Sequence, residues 1–204
     1  MDLKLLSKYR ISYPASELAP SLAAAVAAAQ KIGFPVAMKV ISPQVLHKSD
    51  KGGVILDVKS AAEAEKAYRL LMERYRGLGV DGVLVQKMAG KDAVELIVGG
   101  KKDPQFGQLL MLGMGGIFVE VFRDVTFRVC PITKADAEEM VSELRGYPIL
   151  AGARGRKPVN RAALVSTLLR VSELLMKEDP KEFDLNPVMA DGKSCIAVDM
   201  RMLK

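Results

Sequence analysis

The chain has one histidine, His47, set among groups that suit an anion: Val45-Leu46-His47-Lys48-Ser49-Asp50-Lys51-Gly52-Gly53-Val54. Two lysines, a hydroxyl and two glycines with accessible backbone N–H groups could surround a phosphate. An imidazole nitrogen can also take a phosphoryl group covalently and pass it on, dividing one hard transfer into two easier ones. Taken alone, the same residues would make an ordinary solvated basic loop. Their chemistry therefore depends on what positions them.

Pro20 to Ile32 reads as a helix, with Gly33 as its stop and Pro35 beyond. Met38 to Ile41 reads as a strand that is apolar except for Lys39. A lysine there either meets an anion or points to solvent from an edge. The His47 loop follows, then a second strand, Val54 to Val58. Ser60 and Glu63 have capping-box spacing, and the helix they start runs to about Tyr75. Residues 1–78 are thus expected to form an α/β lobe.

Residues 79–204 change character. Asp81 to Met88 reads as a strand with Val94 to Val98 as its antiparallel partner. A polar hairpin follows at 99–107, then three short strands: Leu109–Leu112, Ile117–Phe122 and Val125–Val129. Strands this close, with turns between them, predict an antiparallel sheet. Helices are expected from Thr133 to near Gly146 and from Asn160 to Lys177, the latter with an apolar stripe at Leu164, Leu168, Val171 and Leu175. Phe183–Val188 and Ser194–Asp199 form a closing hairpin through the Asp191-Gly192 turn.

At 204 residues and half apolar, the chain can bury a substantial core in one domain or two small lobes. A net charge of +6 is mild and suits a nucleotide, a coenzyme or an acidic partner. Cys130 and Cys195 have no metal or redox spacing and read as buried thiols in a reducing cytoplasm. The N-terminal segment is charged throughout, and the Ala-rich run 22–29 is too short to span a bilayer. The expectation is a cytoplasmic protein that avoids membranes.

Seven segments occur here in one order: Lys39 in its strand with LHKSDKGGV, then GVLVQKM, VELIVGGKKDPQFG, LGMGGIFVEVFRDVTFRVCPIT, GYPILAGARG and FDLNPV with AVD. From Leu3 to Leu203 the chain resembles the ATP-grasp (beta) subunit of ADP-forming acyl-CoA synthetases such as acetate–CoA ligase. It is similar, more distantly, to the succinyl-CoA synthetase beta subunit. The resemblance implies an α/β (α+β) ATP-grasp fold, two lobes clasping a nucleotide, with ATP/ADP and Mg²⁺ as cofactors. It also implies a CoA-binding alpha subunit in an α₂β₂ assembly. In that chemistry a phosphoryl group passes from an acyl phosphate to an alpha-subunit histidine, then to a beta histidine, then to ADP. His47 takes the beta position. With no second histidine in the chain, the first relay histidine must come from the partner.

The resemblance assigns other residues in turn. Lys39 contacts nucleotide phosphates, where a charge in a poorly hydrated cleft counts for far more than in water. Gly52 and Gly53 let backbone approach phosphate. Gln86, Lys87 and Met88 form the hinge whose backbone meets the adenine edge; this chain has Lys87 where an acidic residue would be expected nearby. Glu95 lies near the ribose. Asn186 and Asp199, on facing strands, supply an amide oxygen and a carboxylate for Mg²⁺. Asp184, two residues before Asn186 and so on the same side of a strand, orients the partner's incoming histidine. Gly113 to Gly116 is a poor phosphate loop because no helix follows it. Glu120, Arg123 and Asp124 line the second lobe without assigned roles.

Two other classes stay open at this level. One is a regulatory ATP-grasp module that binds nucleotide without turnover, against which the joint presence of His47, Asn186 and Asp199 argues. The other is a nucleic-acid binder, suggested by Arg145, Arg154, Arg156, Lys157 and Arg161, but Tyr147 is the one aromatic among them. Those basic residues also fit a solvated connecting loop, or contact with a partner subunit or CoA phosphates.

Overall fold

Helices begin where short polar side chains can cap them. In the computed structural model, which describes residues 3–44, 52–116 and 121–204, Ser21 accepts from the Ala24 N–H at the start of α2 (Leu22–Ile32). Ser60 accepts from Glu63 N–H at the start of α3 (Ala61–Arg74), while the Glu63 carboxylate takes the Lys59 N–H rather than closing a box on Ser60. A complete box forms at Thr133 and Asp136, opening α4 (Lys134–Glu143). Asn160 caps α6 (Arg161–Glu178), whose Leu164, Leu168, Val171 and Leu175 are all buried. Two further helices are α1 (Leu3–Lys8) and α5 (Tyr147–Leu150).

The chain divides into two compact units, residues 14–89 and residues 1–13 with 90–204. In the first, β1 (Ser16–Ala19), β2 (Val36–Ile41), β3 (Val54–Val58) and β4 (Gly82–Lys87) form an antiparallel sheet in the order β1-β4-β2-β3. Val36, Met38, Val83 and Val85 face α2 and α3 in one core with Ala25, Ala28, Ala64 and Leu71. Lys39 and Gln86 alternate with those residues and point from the opposite face.

The second unit carries β5 (Val94–Asp103), β6 (Gly107–Met114), β7 (Val125–Val129), β8 (Glu182–Ala190), β9 (Cys195–Ala197) and β10 (Met200–Leu203). The order is β10-β8-β5-β6-β7, with β9 also on β8. Leu96, Val98, Leu110, Leu112, Leu185 and Val188 face inward onto α4 and α6. Leu5 and Leu6 of α1, with Tyr9 in the turn after it, enter that same core, so the first thirteen residues pack with the C-terminal part of the chain.

Two sequence expectations change. Gly82–Lys87 pairs with β2 and β1, not with Val94–Val98; β5 pairs with β6 and β8 instead. The division expected at 78/79 differs accordingly from the compact units, because β4 completes the four-stranded sheet. Val121 and Phe122 have helical rather than extended backbone. The rest of that expected strand, Ile117 to Glu120, lies outside the described residues. Among the described residues, no helix is long and apolar enough to cross a membrane.

Candidate functional site

In the six-stranded unit, strand register builds the site. β8 carries Asp184 and Asn186, with Phe183 and Leu185 turned into the core. Between the pairs Val98↔Leu185 and Leu96↔Val188, one residue of β5 faces two of β8, a bulge at Asn186-Pro187. Asn186 N–H donates to Asp199 O at 3.2 Å, and Val198 N–H donates to Pro187 O at 2.9 Å. These bonds hold the Asn186 and Asp199 backbones side by side. One Asp199 carboxylate oxygen, Oδ1, accepts the Met200 N–H at 2.8 Å, which fixes the carboxylate.

Asp184 lies opposite Arg201 of β10 on one side and Gly99 of β5 on the other. Burial pushes the Asp184 carboxyl above the usual aspartate range; Arg201 pulls it down, and Asp199 and Glu182 push it up. Glu95 is exposed on the same outward face, paired in register with Met189. Gly115 N–H donates to Glu95 O at 2.8 Å, and a Cβ on Gly115 would lie 2.5 Å from Glu95 Cγ. A Cβ on Gly113 would lie 2.9 Å from Val125 Cγ1. The glycines of this run are thus required by close strand packing.

An amide oxygen and a carboxylate suit magnesium, which takes few protein oxygens and completes its octahedron with phosphates and water. Among the described residues, no group of three or more His, Cys, Asp and Glu converges as a metal cage. A two-donor site of this kind does not require one.

The four-stranded unit places its residues differently. Lys39 is buried, facing Leu84 of β4 and Val54 of β3. Gln86 is fully buried, with Nε2 donating to Ser16 Oγ at 3.2 Å. The Lys87 ammonium donates to Gly33 O (2.7 Å) and Phe34 O (2.9 Å), so its side chain closes the end of α2. Lys87 N–H donates to Ala15 O and Met88 N–H to Pro35 O, which commits both hinge N–H groups internally. Gly52 has φ +65° and accepts from Arg74 Nη1 at 2.6 Å, while Gly53 O accepts from Val40 N–H. His47, with the rest of residues 45–51, lies outside the described residues.

Sequence reasoning missed two features. Asp124 is buried, and its carboxylate accepts the Arg145 and Gly146 N–H groups at 2.8 and 2.7 Å, clamping the turn before α5. Its backbone carbonyl also accepts from Met114 N–H. Glu178 joins Lys8, Tyr9 and Lys204, with Lys8 chiefly holding its carboxyl down at about 2. Of the basic residues, Arg161 is committed to Glu138 O and the Tyr147 ring. Both cysteines are buried, and burial pushes the Cys195 thiol up to about 11.

Residues 2–203 match the ATP-grasp domain family. The beta subunit of ADP-forming acetate–CoA ligase I from Pyrococcus furiosus is 47% identical over 205 residues, spanning 98% of this chain and 88% of that one. Among solved structures, the dinucleotide-forming acetyl-coenzyme A synthetase 1 of Ca. Korarchaeum cryptofilum, with coenzyme A, Ca-AMPCP and HgCl⁺, superposes with a TM-score of 0.93 at 43% identity. It covers 98% of this chain and 90% of the other. The same enzyme with coenzyme A and Mg-AMPPCP, its phosphohistidine segment pointing towards the nucleotide-binding site, gives 0.85 at 43% identity, covering 97% and 87%.

Proposed function

This chain belongs to the ATP-grasp family, among the beta subunits of ADP-forming acyl-CoA ligases, and from that premise we propose the part each residue plays. The complete reaction converts acyl-CoA, ADP and phosphate reversibly into acid, CoA and ATP. The beta subunit's share is phosphoryl transfer between a partner-subunit phosphohistidine and ADP, through His47. Lys39 meets nucleotide phosphate, with Gly52 and Gly53 at the C-terminal end of the His47 loop. The backbone around Gln86, Lys87 and Met88 meets the base, and Glu95 the ribose.

The observation that carries this reading is the side-by-side placement of Asn186 and Asp199 next to Asp184. Asn186 and Asp199 would hold magnesium, which supplies charge neutralisation at the phosphates. Asp184 orients the incoming imidazole through a carboxylate contact that fixes its tautomer. The chain works with a CoA-binding alpha subunit as α₂β₂ in the cytoplasm, where its substrates are; the mass of the co-purified complex tests the stoichiometry.

The direct test is labelling by γ-labelled ATP with Mg²⁺, comparing wild type with His47→Ala, with and without the alpha subunit. Acid-labile, alkali-stable label in wild type and none in the variant is expected. Label surviving in His47→Ala sinks the relay assignment. No label in any combination favours a module that only binds nucleotide.

A further inference from the structure

Arg201 is a cation that the fold places beside the site and leaves uncommitted. It stands on the edge strand β10, exposed, directly opposite Asp184 in the antiparallel register. Paired residues of antiparallel strands share a face, so its side chain emerges on the side that carries Asp184. Met200 and Met202, its chain neighbours, pack against the core. The same register sets Gly99 on the far flank of Asp184, so β5 adds no side chain of its own at that position, and the next one across is Met111 of β6.

Among the described residues, neither the Arg201 guanidinium nor the Asp184 carboxylate makes a side-chain hydrogen bond or close ion pair, though each lies in the field of the other. Arg128, Lys102 and Lys8 of this unit, by contrast, are committed to Glu143, Asp179 and Glu178. The outward face around Asp184 also carries Glu182 and Asp199, with Lys101 of β5 opposite Glu182. A phosphoryl anion arriving there would be repelled by these carboxylates unless a cation met it. A guanidinium does so with two parallel N–H donors matched to phosphoryl oxygens.

We propose that Arg201 is a catalytic residue that grips the phosphoryl group as it moves between imidazole and ADP. The inference rests on the function proposed above. In the ATP-forming direction the N–P bond breaks and its electron pair stays on the imidazole nitrogen. A terminal β-phosphate oxygen of ADP forms the new P–O bond. Charge on the phosphoryl oxygens is spread widely in that transition state, and the guanidinium meets it there.

The test uses the purified complex of this chain with its alpha subunit, with Arg201→Met, Arg201→Lys and Arg201→Ala. Thermal unfolding first establishes that each variant folds. Turnover of Arg201→Met is expected to fall by about 100-fold or more, as for other arginines that meet a transferring phosphoryl group. The Kd for MgADP, measured by calorimetry, should stay within about threefold, a factor worth under ~1 kcal/mol. Free guanidinium should restore part of the activity of Arg201→Ala, which a structural role would not allow. Turnover near wild type in Arg201→Met overturns the proposal. A loss of MgADP affinity as large as the loss of turnover also overturns it, making Arg201 a nucleotide-holding residue. An inactive wild-type complex brings down the underlying reading, and the proposal with it.

Discussion

The two sheets expose their chemistry in opposite ways. In the four-stranded unit, the central strands β2 and β4 are buried along nearly their whole length, so their sequences read as apolar runs. A polar residue there, Lys39 or Gln86, stands out against its neighbours. In the six-stranded unit, β5 and β8 alternate between core and surface. Glu95, Asp184 and Asn186 therefore share their face with ordinary surface residues. What marks them is what lies opposite: Asp199 beside Asn186, and Arg201 and Gly99 flanking Asp184. Burial singles out the candidate residue in one sheet, register in the other.

The largest effect that sharpens this contrast is expected at Lys39. Lys39→Met keeps the aliphatic stem and removes the charge, so turnover should drop by about 100-fold. The variant should still fold with a cooperative melting transition, because the methionine side chain fills the same buried space. A fall in melting temperature with turnover preserved would make Lys39 structural and break the comparison.

Next is Asn186→Ala in the six-stranded unit. Half-saturation by Mg²⁺ in the ATPase or labelling assay should move up by about tenfold, the scale of roughly 1.4 kcal/mol. An unchanged magnesium titration would remove Asn186 from the site. Gly115→Ala should destabilise this unit by about 1–3 kcal/mol, since its methyl would press on Glu95 backbone and side chain. Denaturant unfolding measures that cost. Ser60→Ala, a helix cap in the four-stranded unit, should cost about 1 kcal/mol and leave kinetics alone.

The smallest effect concerns acid. Glu178 is held down at about 2 from an ordinary 4.5, so its contribution to stability is complete above that ordinary value and fades as pH falls through 4.5 towards 2. Glu178→Gln should lower stability near neutrality slightly and flatten the acid limb of a stability-against-pH curve. A wild-type limb retained in the variant would assign the acid sensitivity to other carboxylates.

Helix starts were legible in the sequence because their cause is local: Ser21, Ser60, Thr133 and Asn160 act within three residues of themselves. The hairpin carrying Asn186 and Asp199 was legible for the same reason, through its Asp191-Gly192 turn. The partners of Gly82–Lys87 were not legible. β4 inserts between β1 and β2, more than forty residues upstream, and nothing nearby announces that pairing. The short edge strands β1 and β10 were missed as well, being four residues each and bounded by prolines or the hairpin. Arg201 went unnoticed because its significance depends wholly on the strand it lies against. The side chain of Lys87 is explained by carbonyls at the end of α2, fifty-three and fifty-four residues away in sequence.

The bulge in β8 has a bearing on how this site can vary. Two residues there span what one spans in β5, so the inward count restarts at Val188. Upstream, odd-numbered positions face the core; downstream, even-numbered ones do. Removing one residue at 187 would therefore leave a strand of unbroken alternation, with Val188 and Ala190 still facing inward opposite Leu96 and Val94. The extra residue thus serves no need of the core; it carries the bonds that set Asn186 and Pro187 against Asp199 and Val198. A shortened β8 should therefore keep its core and lose the arrangement beside Asp199.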